Sequence, residues 1–259
     1  MMLAEVGTYA GFIACVALAT CIQNMTGFAF GLVLLGLVAM FKLVPIVDAA
    51  NAATVLTLVN AVSFFRLHKL QPQWRVMKPS ILPSLLGVAA GVALLAWLSG
   101  NAVQALRGLL GLAILACAFA LIVDAKPRET VSGKPAFAFV GALSGLLGGL
   151  FSSAGPPLVY HMYRQPLPRD LVRQCLVLIF AINQVLRLTL VVVSGHFSWF
   201  SVLLSASAVP VVHGVGWLQH RYMPPISATL TRRVVSGLLL LAGGSLLFSF
   251  ATWWQAQPR

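Results

Sequence analysis

The chain reads as a series of continuous apolar runs separated by short polar gaps. Membrane strands do not fit it, because they alternate in polarity and last only about ten residues. The runs fall at roughly 6 to 41, 46 to 65, 79 to 99, 104 to 123, 136 to 163, 171 to 194, 199 to 219 and 228 to 253. Most have the roughly 20 residues that a helix needs to cross the hydrocarbon core. The pattern predicts an all-α, polytopic membrane protein. The first and fifth runs exceed one untilted span, and small polar residues interrupt each: Gln23-Asn24-Met25-Thr26-Gly27 and Ser152-Ser153-Ala154-Gly155-Pro156-Pro157.

The longest polar gap, Asp124 to Pro135, divides the eight runs into two sets of four. It predicts a first membrane repeat over 1–125, a linker over 126–135 and a second repeat over 136–259. Asn60 pairs with Asn183, Pro83-x3-Gly87 with Pro210-x3-Gly214, and Arg107-x3-Gly111 with Arg233-x3-Gly237, at offsets of 123 to 127. Asp48 and Asp170 each precede the second element of their half, where a carboxylate complements a helix start. Common order at nearly constant offset indicates duplication.

Composition narrows the function. The chain is 59% apolar and 8% charged, against about a quarter charged in soluble domains. No length is left for a soluble catalytic domain. The net charge of +12 is spread over the gaps, so it reads as lipid-headgroup and topology charge and predicts no nucleic-acid partner. Trp74, Trp97, Trp199, Trp253 and Trp254 fall near run ends, as an aromatic belt requires. Cys15, Cys21, Cys117 and Cys175 lie in apolar stretches without metal spacing and read as packing residues. No Lys or Arg precedes Lys42, so no cleaved secretory signal is expected.

Charge counting distinguishes two topologies. If all eight runs cross, the loop Lys and Arg divide eight against eight, with Arg187 set aside as intramembrane. If the first and fifth re-enter the face they came from, thirteen share one face, and Lys42, Arg107 and Arg259 share the other. The positive-inside rule favours the second arrangement. Each half then crosses three times, so the halves are inverted. The alternative is a pair of long, kinked, fully crossing helices with glycine-mediated packing.

Main chain breaks at membrane depth only where protein or a water-filled cavity satisfies it, so two breaks imply a shared polar centre. Helices restarting near Gly27 and Pro156 would aim unpaired amides and positive dipole ends at that centre, which makes an anion site. Gln23, Asn24, Thr26, Ser152 and Ser153 add polar groups. Arg187 lies about 20 Å of helix beyond Arg173. Its charge either faces this cavity or snorkels to the outer interface. Asn183 and Gln184 lie within one turn of it, and Asn60 is the repeat partner of Asn183. Each asparagine also suits an ordinary interhelical hydrogen bond.

No carboxylate lies deep in any run, which leaves His161 and His213 as candidates for proton coupling, beside their ordinary structural roles. No HExxH, GxSxG, P-loop or dinucleotide motif occurs, so neither enzyme activity nor a cofactor is expected.

Two four-element halves, each opening on a glycine-rich interrupted segment followed by an Asn-bearing helix and a Pro-x3-Gly helix, resemble the TauE/SafE sulfite exporter family. The resemblance covers about Gly11 to Phe250. It is clearest in GFIACVALATCIQNMTGFAFGLVLLGL (Gly11 to Leu37) and GALSGLLGGLFSSAGPPLVYHMY (Gly141 to Tyr163). Gly27, Gly31, Gly155 and Pro156 occupy the family's glycine-cluster positions. Phe28 and Phe30 add a bulky wall that suits a larger or more apolar carboxylate or sulfonate. The resemblance implies transport of sulfite, sulfonates or related anions across the bacterial inner membrane. The function expected is a secondary transporter working by alternating access on a small anionic substrate. An anion channel and a non-transporting accessory subunit are the alternatives, and a homo-oligomer is left open.

Overall fold

A computed structural model describes residues 2–26, 29–67, 72–122, 128–153, 155–222 and 228–255. Among them are ten helices and no strand: α1 (Met2–Thr26), α2 (Phe30–Met40), α3 (Ile46–Leu67), α4 (Trp74–Asn101), α5 (Val103–Ile122), α6 (Lys134–Phe151), α7 (Gly155–Tyr163), α8 (Arg169–Val193), α9 (Trp199–Tyr222) and α10 (Ala228–Gln255). The eight runs therefore appear as helices, with the first and fifth each split in two.

Among the described residues, six helices are long and apolar enough to cross a membrane: α3, α4, α6, α8, α9 and α10. Six crossings also follow from the re-entrant arrangement, but with α5 in place of α6. The described apolar part of α5, Val103–Phe119, is shorter than a full span. Large apolar side chains such as Leu82, Leu86, Phe119, Phe139 and Leu241 are exposed on the outside, as lipid contact requires. Trp74, Trp97, Trp199 and Trp254 are exposed at or near helix ends.

The first interruption sits later than the sequence implies. Gln23 and Asn24 belong to the last turn of α1, which continues to Thr26. The Asn24 amide donates to Gln219 Oε1 of α9 at 3.0 Å, so these polar side chains anchor the helix rather than ending it. Helix α2 starts at Phe30 after Ala29, whose φ of 78° is left-handed. Helix α6 ends at Phe151 and is capped by Ser152, with φ 54°. Both positions hold a side chain where glycine is favoured, and such strain gathers where the surrounding structure dictates the backbone.

Helices α4 and α6 run parallel in backbone contact. Ser80, Ser84 and Val88 face Gly141, Gly145 and Gly149 in turn, and a Cβ on Gly141 would lie 2.6 Å from the Ser80 carbonyl oxygen. This is the small-residue seam that lets helices approach where no water drives them together. Helix α5 packs antiparallel on α10, Gly108 against Phe250 and Gly111 against Leu246 and Gly243.

Some of the remaining contacts fall into corresponding pairs, while others, such as α4 with α5 and α6 with α8, have no counterpart of the same extent. Helix α1 meets α9 as α6 meets α4; α3 meets α9 as α8 meets α4; α3 and α8 meet each other. Near one end of the bundle, Arg128 N–H donates to the Arg164 carbonyl at 2.8 Å, and Gln165 exchanges bonds with Ser132. The start of α6 is thereby tied to the end of α7. Toward the other end, Gly11 of α1 contacts Leu43, just after α2. There Asp48 of α3 also accepts bonds from Ser198, just before α9, and from Ser201 in its first turn.

Candidate functional site

The two interruptions meet. A Cβ placed on Gly31, in the first turn of α2, would lie 2.7 Å from the Ser152 carbonyl oxygen and 2.9 Å from Ser153 Cβ. Only a glycine permits that approach. Ser152 and Ser153 are both buried, as is Gly155 at the start of α7.

Helices α3 and α8 close over this junction. Gln184 Nε2 donates to the Ser152 carbonyl at 2.7 Å and to its hydroxyl at 2.9 Å, while Thr54 donates to the same hydroxyl at 3.0 Å. Arg187 is 1% exposed, so it does not snorkel. Its Nε donates to the Gly149 carbonyl at 2.9 Å, and Nη1 reaches Thr54 Oγ1, with the Ala50 carbonyl and Asn51 Oδ1 each at 3.3 Å. Its described partners are all neutral, and Nη2 has none. A buried cation held only by neutral dipoles leaves a positive potential in a low-dielectric site. Gln184 Oε1 and Asn183 Nδ2 are also unpartnered; Asn183 Oδ1 takes a 2.7 Å bond from Ser84.

One open cavity lies toward the end of the bundle that holds Arg173. It has a volume of about 40 Å³ and is lined by Gln23, Asn24, Thr57, Asn60, Ala61, Phe64, Arg173, Val177 and Phe180. A single water needs roughly 10–15 Å³, so the cavity holds a few waters or one small oxyanion head. Thr57 lies about one turn from Thr54 on α3, about 4.5 Å along the axis, so the cavity lining and the Arg187 cluster are separated by about one helical turn.

The sequence-predicted residues thus divide. Gly31, Ser152, Ser153, Gln184 and Arg187 converge at the junction, with Asn183 on its α4 side. Gln23, Asn24 and Asn60 line the cavity. Gly27 and Phe28 lie outside the described residues, as do the side chains of Thr26 and Pro156. Phe30 is buried in the core. Pro156 and Pro157 carry no N–H, so only Gly155 and Leu158 offer donors among the first four positions of α7. Amide donors therefore come mainly from α2. His161 is buried edge-on against Phe137, with ring centroids 4.7 Å apart, and His213 is exposed on α9, bonded to its own helix at Val209. Neither lines the cavity.

Sequence reasoning missed Asn51, Thr54, Thr57 and Arg173. Asn51, Thr54 and Thr57 recur on one stripe of α3, a polar periodicity within an apolar helix that gave the available signal. Arg173 lies in the second turn of α8 and joins the site only through tertiary contact with α1 and α3.

The family described as "Sulfite exporter TauE/SafE" matches residues 12–246. The "Probable sulfite/organosulfonate exporter TauE" of Cupriavidus necator is 31% identical over 244 residues, covering 94% of this chain and 95% of that protein. No solved structure matches the chain. An all-helical, multi-pass membrane protein without enzymatic motifs, matched along nearly its whole length, this chain belongs to the TauE/SafE sulfite exporter family of membrane transporters.

Proposed function

We propose that the chain is a secondary transporter that exports a small sulfur oxyanion, sulfite or a short organosulfonate, across the inner membrane by alternating access. The site is the junction of the two interruptions: the first turn of α2 at Gly31, Ser152 and Ser153, and Asn183, Gln184 and Arg187 of α8. Thr26, Gly27, Gly155 and Pro156 complete the interruptions, while Gln23, Asn24 and Asn60 line the approach. The observation that carries this reading is the packing of Gly31 on Ser152 beside a buried, charge-unbalanced Arg187. An oxyanion supplies both the missing charge and the missing acceptor for Nη2.

In this reading, residues 1–125 and 136–259 form inverted repeats joined by the 126–135 linker. Supporting it are the corresponding helix contacts, the antiparallel α5–α10 pair, and the ties that hold the outer ends of α1 and α2, and of α6 and α7, on opposite ends of the bundle. The thirteen-to-three charge division makes the Arg173 end cytoplasmic. Broken helices meeting at depth are a recurrent plan of secondary transporters, in which one rigid bundle rocks against another about the bound solute.

Counterflow in proteoliposomes tests the proposal. Unlabelled sulfite inside should accelerate uptake of radiolabelled sulfite, methanesulfonate or acetate, with the sulfur anions preferred. Flux without acceleration marks a channel, and no flux marks an accessory protein.

A further inference from the structure

The cavity contains a cation that the deep cluster does not use. Arg173 lies over the Phe64 ring, 5.2 Å from its centroid, and its Nη2 reaches the Asn24 carbonyl at 3.3 Å, a long bond. Among the described residues its Nε has no partner, and neither do Thr57 Oγ1 and Gln23 Oε1. All three of these residues line the same cavity. Three polar groups without a described partner around one void make a site for a polar guest, because each buried polar group left unpaired costs free energy.

The chemistry of the lining identifies that guest. Arg173 Nε–H and the Thr57 hydroxyl are donors, and rotating the Gln23 amide exchanges its oxygen for NH2. No described acidic side chain lines the void. Phe64, Val177 and Phe180 supply the apolar part of the same lining, so the charged head of a guest meets the Arg173 guanidinium and any apolar part meets the rings.

Resting on the transporter reading, we infer that Arg173 and Thr57 form a second oxyanion site at the cytoplasmic mouth, occupied before the anion reaches Arg187. Asn60 and Gln23 flank it. The guest exchanges the weak Asn24 contact of Arg173 for a charge-assisted bond, then moves about one turn along α3, from Thr57 to Thr54, to reach the Gln184–Ser152–Arg187 cluster. Arg173 is thereby a specificity-determining residue for one face of the membrane only.

Sided exchange of radiolabelled sulfite tests this, using everted and right-side-out vesicles with saturating sulfite on the far side. Arg173→Gln and Thr57→Val should each raise the half-saturating concentration at least tenfold from the cytoplasmic face. From the opposite face it should stay within twofold. Thr57→Val preserves side-chain shape within a helix, so it reports even if Arg173→Gln fails to fold. Equal shifts at both faces, or none at either, overturn the second site while leaving the transporter intact. Absence of exchange by the wild-type chain overturns the transporter reading itself, and the inference with it.

Discussion

Gly31 and Ser152, 121 positions apart, touch so closely that a methyl group on the first would press on the carbonyl oxygen of the second at 2.7 Å. The obstacle is main chain, held by Gln184 at 2.7 Å, so it cannot swing aside.

Gly31→Ala should therefore force the interruptions apart. Overpacking of this kind costs about 1–3 kcal/mol, so the variant should unfold at lower temperature and lose at least tenfold in sulfite exchange. Gly214→Ala is the control, since nothing lies within 4 Å of the added methyl group. Its exchange and melting should match the wild type. Equal behaviour of the two variants would contradict the contact.

Arg187→Gln removes the buried charge but leaves an amide to meet some of the carbonyls. Sulfite at a hundred times its Kd should stabilise the wild-type chain by about 2.7 kcal/mol. The variant should show no sulfite-dependent rise in melting temperature. An undiminished rise would assign Arg187 to packing alone.

Cysteine labelling tests the arrangement of the loops. With Cys15, Cys21, Cys117 and Cys175 replaced by serine, Glu129→Cys and Pro166→Cys should react with an impermeant maleimide from the cytoplasmic face. His196→Cys should react from the other. Glu129 and Pro166 flank the Ser132–Gln165 tie, whereas His196 lies beside Asn51 at the opposite end. Labelling of Glu129→Cys and Pro166→Cys from opposite faces would require α6 and α7 to cross as one unit.

His213→Asn should leave the rate of sulfite exchange and its pH profile unchanged. The imidazole is exposed on the outside of α9 and bonds Val209 of its own helix. A shifted profile would bring it back into proton coupling.

Local chemistry made the elements legible. Runs of some 20 apolar residues marked the helices, and the Ser-Ser-Ala-Gly-Pro-Pro segment marked the second interruption almost to the residue, because proline and glycine act on their own backbone. The first was misplaced because Gln23 and Asn24 look like helix breakers until Gln219, 195 residues beyond Asn24, satisfies the Asn24 amide. Arg187 stood out as a lone charge in an apolar run. Its partners were not legible, since two are backbone carbonyls and Thr54 reads as ordinary helix. Arg173 looked like one more loop cation, and only the crossing of α1, α3 and α8 turns it inward.

The glycine seam between α4 and α6 joins elements from either side of the linker, and the α5–α10 pair does the same. Rigid units therefore straddle the midpoint of the chain, and any rocking motion divides the molecule along a boundary different from the duplication. Severed within the 126–135 connection, the two fragments would each carry bare grooves shaped for the other, so they should accumulate only when synthesised together.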